Sequence, residues 1–439
     1  MSGTGLRRWD RDEGLPARAG DPDRTPLGAD EVLALVTAHM LPEGAPPPVE
    51  ARWSYARWKP GVSLNTAWQL RTAEGVEETV VVKQHAGDKV AALAERGSDR
   101  ASAADMDWPT VVGAPWADPE RGVYLFAARD DTALPALHRL TDSGRIRHLM
   151  RHLQRCVPDG WEIRKRRSRF TLLRYRPERR AVVRMDLKLR STSDDGGRDK
   201  LTLAGRALPS KRAAEVDALR RAAGDFAPGP RFEGLAEQDG LLAEEWLEVD
   251  VPGGNVFGHA EQAGAVLARL HAHPLPDGLS PRPAADPASL APLLDWSPTL
   301  AAAADGLLVP LPPAPGPARW THGDFHPDQV ATDTRDGSTR LLDLDELRPG
   351  EPAIDIANWA ADVVVAEDRS WREGVEPLLV GYRAAGGEPP TDGRLAACVA
   401  AALVQRAAAA CRRLEQGAEE TAARLLARAR EIAAEGSAR

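Results

Sequence analysis

One pattern appears twice before residue 210 and limits what the chain can build. The stretch ARWSYARWKPGVSLNTAWQLRTAEGVEETVVVKQH (51–85) alternates apolar and polar residues and is broken at Lys59-Pro60-Gly61 and at Glu74-Gly75. Successive side chains of a strand point to opposite faces, so this reads as three antiparallel strands joined by tight turns. SRFTLLRYRPERRAVVRMDLKLR (168–190) and KLTLAGRALPS (200–210) then repeat the order, with RYRPE answering RWKPG. Two meanders with matching turn chemistry point to an internal duplication. The amphipathic stretch EVLALVTAHML (31–41) precedes the first copy, and KRAAEVDALRRAAG (211–224) and a strand pair ending in LLAEEWLE (241–248) follow the second.

Beyond Leu247 the periodicity turns helical. HAEQAGAVLARLHAHP (259–274) is an amphipathic helix stopped by Pro274, and IANWAADVVVAED (356–368) and SWREGVEPLLVGYRAAG (370–386) continue the pattern. One long Ala/Leu/Arg helix is expected from Arg394 towards Ala434. Strands first and helices afterwards is an α+β chain. The boundaries read as a disordered polar tail over 1–29, an added β-containing module over 30–140, a second β-rich lobe over 141–247, and a helical lobe over 248–439.

Composition excludes several classes. The 439 residues are 43% hydrophobic, ordinary for a globular protein with a sizeable core. Cys156, Cys398 and Cys411 are far apart without metal-ligand spacing, which fits a reducing, cytoplasmic setting. The start, MSGTGLRRWDRDEG, lacks a signal peptide's apolar segment, and no run is expected to span a membrane. A net charge of -8 argues against nucleic acid as a partner. Between Arg145 and Arg190, however, basic residues outnumber acidic ones about four to one. That stretch is either a solvated basic face or a surface that meets phosphates.

The chemistry concentrates in THGDFHPDQ (321–329) and LLDLDE (341–346). Carboxylates leave water at a cost unless a cation or a reacting hydroxyl pairs with them. Asp324 sits in a loop with Gln329 five positions on, and the next segment reads as a hairpin, 330–332 and 339–344, turning at Asp336-Gly337. The hairpin would bring Asp343 back near Asp324 and Gln329. Three convergent oxygen groups suit Mg²⁺, a hard cation that keeps waters and binds phosphate oxygens.

This order of loop, hairpin and aspartate resembles that of protein kinases and, more closely, the aminoglycoside phosphotransferase family of kinase-like enzymes. The residues that carry the resemblance are His322-Gly323-Asp324, Gln329 where the family has Asn, Leu342-Asp343-Leu344-Asp345, and Gly350-Glu351-Pro352-Ala353-Ile354-Asp355. VLARLHA (266–272) is similar to the helix before the family's catalytic loop and LLAEEWLE to its hinge, so the likeness spans about 168–436. It implies a protein-kinase-like fold, an antiparallel β N-lobe and a mainly helical C-lobe, here with the added N-terminal module.

By that resemblance, Asp324 orients the acceptor hydroxyl and takes its proton, while Gln329 and Asp343 hold Mg²⁺ on the phosphates of ATP or GTP. His322 and Asp355 would brace the loop, and His326 is either near substrate or a solvated loop residue. On the N-lobe side Arg206 would replace the usual strand lysine, with Glu215 as its helix partner and Glu245 and Leu247 at the hinge. Arg179, in the turn Arg176–Arg180, would cover phosphates. Lys83, in VVVKQH, resembles the usual lysine but belongs to the first meander, which is expected to be a degenerate extra lobe. The implied activity is transfer of the γ-phosphate to a hydroxyl of a small molecule such as a sugar, aminocyclitol or antibiotic. Two alternatives are a kinase for Ser/Thr of a peptide in natural-product maturation and a catalytically silent binding module. Glu367 and Asp368 are candidates to face a cationic acceptor.

Overall fold

A computed structural model describes residues 25–85, 90, 92–93, 110–142, 146–193, 197–226, 228–250, 257–281, 287–307, 311, 314–367 and 370–437. The expected tail therefore lies outside the described residues up to position 24, and Asp368 lies outside them too. Leu27 already packs into a core.

The first meander forms as its turns dictate. Helix α1 (Ala29–His39) is followed by β1 (Glu50–Lys59), β2 (Ser63–Arg71), β3 (Glu77–His85), β4 (Trp116–Asp118) and β5 (Val123–Ala127). Gly61 and Gly75, at φ 63° and 83°, supply the left-handed conformation that their turns require. The sheet runs β1-β2-β3-β5-β4, and Val32 and Val36 of α1, with Met40 just past its end, cluster with Trp68, Leu70, Val80 and Val82 on one of its faces.

The second meander repeats this plan. Helices α2 (Pro135–Thr141) and α3 (Ile146–Leu153) lead into β6 (Trp161–Ile163), β7 (Arg169–Arg176), β8 (Arg180–Ser191) and β9 (Arg198–Ala207). Then come α4 (Ser210–Ala223), β10 (Phe232–Ala236) and β11 (Leu241–Glu245). The sheet path is β10-β11-β9-β8-β6, with β7 also paired to β8. Counted from β7, the pairing order is first, second, third, fifth, fourth, as in the first sheet, so the duplication extends to topology. Val183, Met185, Leu187 and Leu203 form one core with Leu137, Leu140, Ile146 and Leu149 of α2 and α3. Both sheets belong to one compact unit, which ends at Asp217 and adds Phe232–Trp246; the other comprises Ala218–Arg231 and the chain from Leu247.

That second unit is mainly helical. It contains β12 (Val249–Asp250), α5 (Ala260–Ala272), α6 (Ala291–Leu294), α7 (Pro298–Ala304), β13 (Arg319–Thr321), β14 (Val330–Asp333), β15 (Thr339–Leu341) and β16 (Arg348–Gly350). Helices α8 (Pro352–Glu367), α9 (Trp371–Ala384), α10 (Asp392–Arg412) and α11 (Ala418–Ser437) complete it. The α5 and α9 backbones meet directly: a Cβ on Gly264 would lie 1.9 Å from Leu378 O, and one on Gly381 would lie 1.8 Å from Glu261 O. Strand β15 ends at Leu341, shorter than the expected 339–344. The single long helix expected from Arg394 is instead the antiparallel pair α10 and α11, because Leu414 (φ 51°) and Gly417 (φ 63°) reverse the chain. Helix α10 alone among the described residues is long and apolar enough to cross a membrane, yet 67% of its most apolar window is buried inside the protein.

Candidate active site

The loop after β13 is fixed by one buried carboxylate. Asp355, in the first turn of α8, is fully buried and accepts from the backbone amides of His322 (2.7 Å) and Gly323 (2.9 Å). Its Oδ2 also meets His271 Nε2 at 3.1 Å, and His271 Nδ1 lies 2.8 Å from the Tyr382 hydroxyl. An ionised carboxylate only accepts, so His271 carries a proton on Nε2 and donates it to Asp355. Burial pushes the Tyr382 hydroxyl up to about 12, which keeps it a donor. Burial would also raise Asp355, but the His271 hydrogen bond, the charges of His271 and His322, and the Gly323 amide outweigh it and hold Asp355 below its ordinary value. The glycine in this loop is required: Gly323 has φ 81°, and a Cβ there would lie 2.5 Å from Glu346 O.

This arrangement yields two predictions about one residue. Asp355→Asn, which presents an N–H to amides that need an acceptor, is expected to lower unfolding stability by about 3–5 kcal/mol, as for a broken buried charge network. Circular dichroism melts of parent and variant check it. Because the folded-state pKa lies below the unfolded one, the contribution is present above about pH 4 and is lost as pH falls below that value. The variant should lack this part of the acid-induced loss.

Asp324 is exposed, yet its neighbours His322 and Phe325 are wholly buried. Phe325 stacks on Trp359 of α8 with ring centroids 5.5 Å apart, and His322 donates from Nε2 to Leu342 O at 2.8 Å. The loop is thus anchored on both sides of a carboxylate that makes no hydrogen bond or ion pair among the described residues. Gln329 is 7% exposed, and its backbone carbonyl accepts from Leu342 N at 2.8 Å, so the hairpin brings the residue just before Asp343 against Gln329. Its amide nitrogen lies 3.0 Å from His326 Nε2 and donates to it, which leaves Oε1 as the oxygen available to a cation. His326 is half-buried, with Nδ1 facing Asp362 of α8 at 3.7 Å, so it orients Gln329. Sequence reasoning missed Asp362, for which no local signal exists.

Asp343 adopts φ 56° and ψ 54°, a left-handed conformation uncommon for a side-chain-bearing residue and concentrated at functional sites. Asp345 is buried in the short turn Leu344–Glu346. Among the described residues, no group of three or more His, Cys, Asp or Glu side chains is arranged to hold a metal. A divalent ion on Gln329 Oε1 and Asp343 would therefore complete its shell with water and phosphate oxygens, a donor set that fits Mg²⁺.

The other predicted residues belong to the β-rich unit or its edge. Arg206 is 8% exposed on β9, register partner of Val182 and Leu242, so it shares a face with Leu242. Glu215, on α4, accepts from Arg212 at 3.2 Å. Glu245 ends β11 opposite Leu203, and Leu247 is buried. Arg179 is exposed, next to Glu178, whose φ is 58°.

Residues 190–398 match the model of the phosphotransferase enzyme family (APH). No curated protein matches the chain. Among solved structures, a macrolide 2'-phosphotransferase type I is 23% identical over 65% of this chain and 97% of its own, with a TM-score of 0.40. A macrolide 2'-phosphotransferase from Brachybacterium faecium is 19% identical over 63% and 93%, with a TM-score of 0.37. A choline kinase from Cryptosporidium parvum Iowa II is 10% identical over 65% and 95%, with a TM-score of 0.43. The stretch that holds the Asp324 loop, the hairpin and Asp355 lies within the residues that match the phosphotransferase enzyme family model.

Proposed function

We propose that the protein is a small-molecule kinase that moves the γ-phosphate of ATP or GTP to a hydroxyl of a sugar, aminocyclitol or antibiotic. The observation that carries this reading is the exposed Asp324 carboxylate on a loop whose backbone is held by buried Asp355. A carboxylate so fixed can accept the hydroxyl proton as its oxygen attacks phosphorus, the task of a general base with positioning duty. Gln329 and Asp343 would hold Mg²⁺, which neutralises charge on the phosphate oxygens when bound. Arg206, with Glu215 of α4 as its partner, would bind nucleotide phosphate, Arg179 would cover it, and the backbone at Glu245 and Leu247 would meet the base. Free cysteines at 156, 398 and 411 suit a reducing, cytoplasmic setting.

Measuring nucleotide consumption with Mg²⁺ across amino sugars, plain sugars, macrolides and Ser/Thr peptides tests the reading. Turnover only with peptides would support the alternative acceptor, for which the basic stretch 145–190 and the added module are suited. Consumption with none would favour a silent binding module. The nucleotide side has its own expected result: Arg206→Ala weakens ATP binding or turnover by about 10-fold or more, the scale of one charge-assisted phosphate contact. Calorimetric titration of Mg-ATP reads it, and affinity equal to the parent's would exclude Arg206 from the phosphates.

A further inference from the structure

The first sheet carries three cations, Arg57, Lys59 and Lys83, that the phosphotransferase reading does not use; a fourth beside them, Arg179, it does. Arg57 on β1, Asn65 on β2 and Lys83 on β3 are successive register partners, so their side chains stand side by side on one face. Lys59, two residues beyond Arg57, shares that face. The turn between β7 and β8 meets the row: Glu178 accepts from Lys83 Nζ at 2.5 Å and from Asn65 Nδ2 at 2.7 Å. Arg179 follows in the same turn and acts electrostatically on both Arg57 and Lys59.

The charges do not balance. Arg57, Lys59, Lys83 and Arg179 surround one carboxylate, Glu178, which is the acidic group facing Arg57, Lys59 and Lys83. The nearby Asp131 accepts instead from the Tyr175 hydroxyl (2.8 Å), the Glu178 amide (2.8 Å) and the Ala133 amide (2.9 Å). Its charge is directed at those three donors, and even with Asp131 counted the four cations outnumber the two carboxylates. Burial also disfavours the charged forms of Arg57 and Lys59, and Arg57 Nε is buried without a hydrogen-bond partner. Desolvated cations in surplus, with a free guanidinium N–H among them, call for an anion.

We propose that Arg57, Lys59, Lys83 and Arg179 form a binding site for a diphosphate group, free or carried by a nucleotide, with Glu178 as its built-in counter-charge. Two guanidinium groups and two ammonium groups match a multiply charged phosphate better than a single carboxylate. Glu178 offsets one positive charge and competes with the ligand for Lys83. The site lies wholly within the β-rich unit, and it stands whether or not the chain transfers phosphate.

Isothermal titration of the full chain with inorganic pyrophosphate in EDTA tests the site without the metal-dependent nucleotide contribution. Arg57→Gln and Lys59→Gln are each expected to weaken binding by about 10-fold or more, and Arg57→Lys by less than either. Glu178→Gln is expected to tighten it by roughly 10-fold, since the competing carboxylate is gone while the amide still accepts a hydrogen bond. Lys59 is half-buried at a strand end, so its variant keeps the test valid should Arg57→Gln misfold. ADP in EDTA distinguishes the sources: binding that follows pyrophosphate across the variants identifies a nucleotide, and pyrophosphate binding without ADP binding identifies the free anion; either upholds the site. Absence of pyrophosphate binding even to Glu178→Gln overturns it. So does binding that survives Arg57→Gln and Lys59→Gln but is lost in Arg206→Ala.

Discussion

Asp324→Asn is expected to lower phosphoryl transfer by about 10²-fold or more, the usual scale for a general base, while Mg-nucleotide affinity stays within about twofold. The substitution keeps the shape and removes only the proton acceptor. Loop geometry should survive it, because His322, Gly323 and Phe325 are held by Asp355, Leu342 and Trp359 and not by Asp324 itself. Single-turnover kinetics alongside equilibrium nucleotide binding separate the two quantities. Turnover near the parent's would remove Asp324 from the chemistry and leave the loop as a scaffold.

A second large effect is expected on the metal side. Asp343→Ala should cost Mg²⁺-dependent nucleotide affinity by about 10²-fold, since Mg²⁺ leans on only one or two protein carboxylates and this removes the one at the hairpin. Titration of ATP with and without Mg²⁺ reads the difference directly. The variant should bind metal-free ATP much as the parent does. If it binds Mg-ATP as tightly as the parent, the ion sits elsewhere. The left-handed backbone at Asp343 adds a check: Asn tolerates that conformation and retains a carbonyl oxygen, so Asp343→Asn should lose less affinity than Asp343→Ala.

Local signals made much of this legible before any coordinates. Lys59-Pro60-Gly61 and Asp336-Gly337 announced turns, and alternation announced strands, because φ preferences and side-chain direction act over a few residues. The candidate site came from the order of His322-Gly323-Asp324, Gln329 and Asp343 and its resemblance to a known family, and the hairpin does bring Leu342 against Gln329. What stayed hidden depends on pairings distant in sequence. Lys83 meeting Glu178, and Asp131 holding the Glu178 amide, join residues 95 and 47 positions apart, with no pattern in the chain to connect them. Asp362 behind His326 is of the same kind. The break between α10 and α11 was missed for a different reason: the Ala/Leu/Arg composition is helical on both sides, and Leu414, which shows no turn preference, is one of the residues that reverses the chain. Likewise β15 stops short because Asp343 takes a left-handed conformation, where alternation alone would extend the strand to Leu344.

The grip of Asp355 on two loop amides has a consequence for how such a chain can change. The position of Asp324 is inherited from α8 and, through His271 and Tyr382, from two helices whose glycines touch backbone to backbone. None of those contacts uses the side chain of Asp324, Pro327 or Asp328. At Pro327 and Asp328, outside that frame, substitutions can therefore accumulate with little effect on where the Asp324 carboxylate sits. A methyl group added at Gly264 or Gly381, remote in sequence from the loop, would shift the frame as a whole. Tolerance and intolerance to mutation should thus run opposite to sequence distance from the reactive carboxylate.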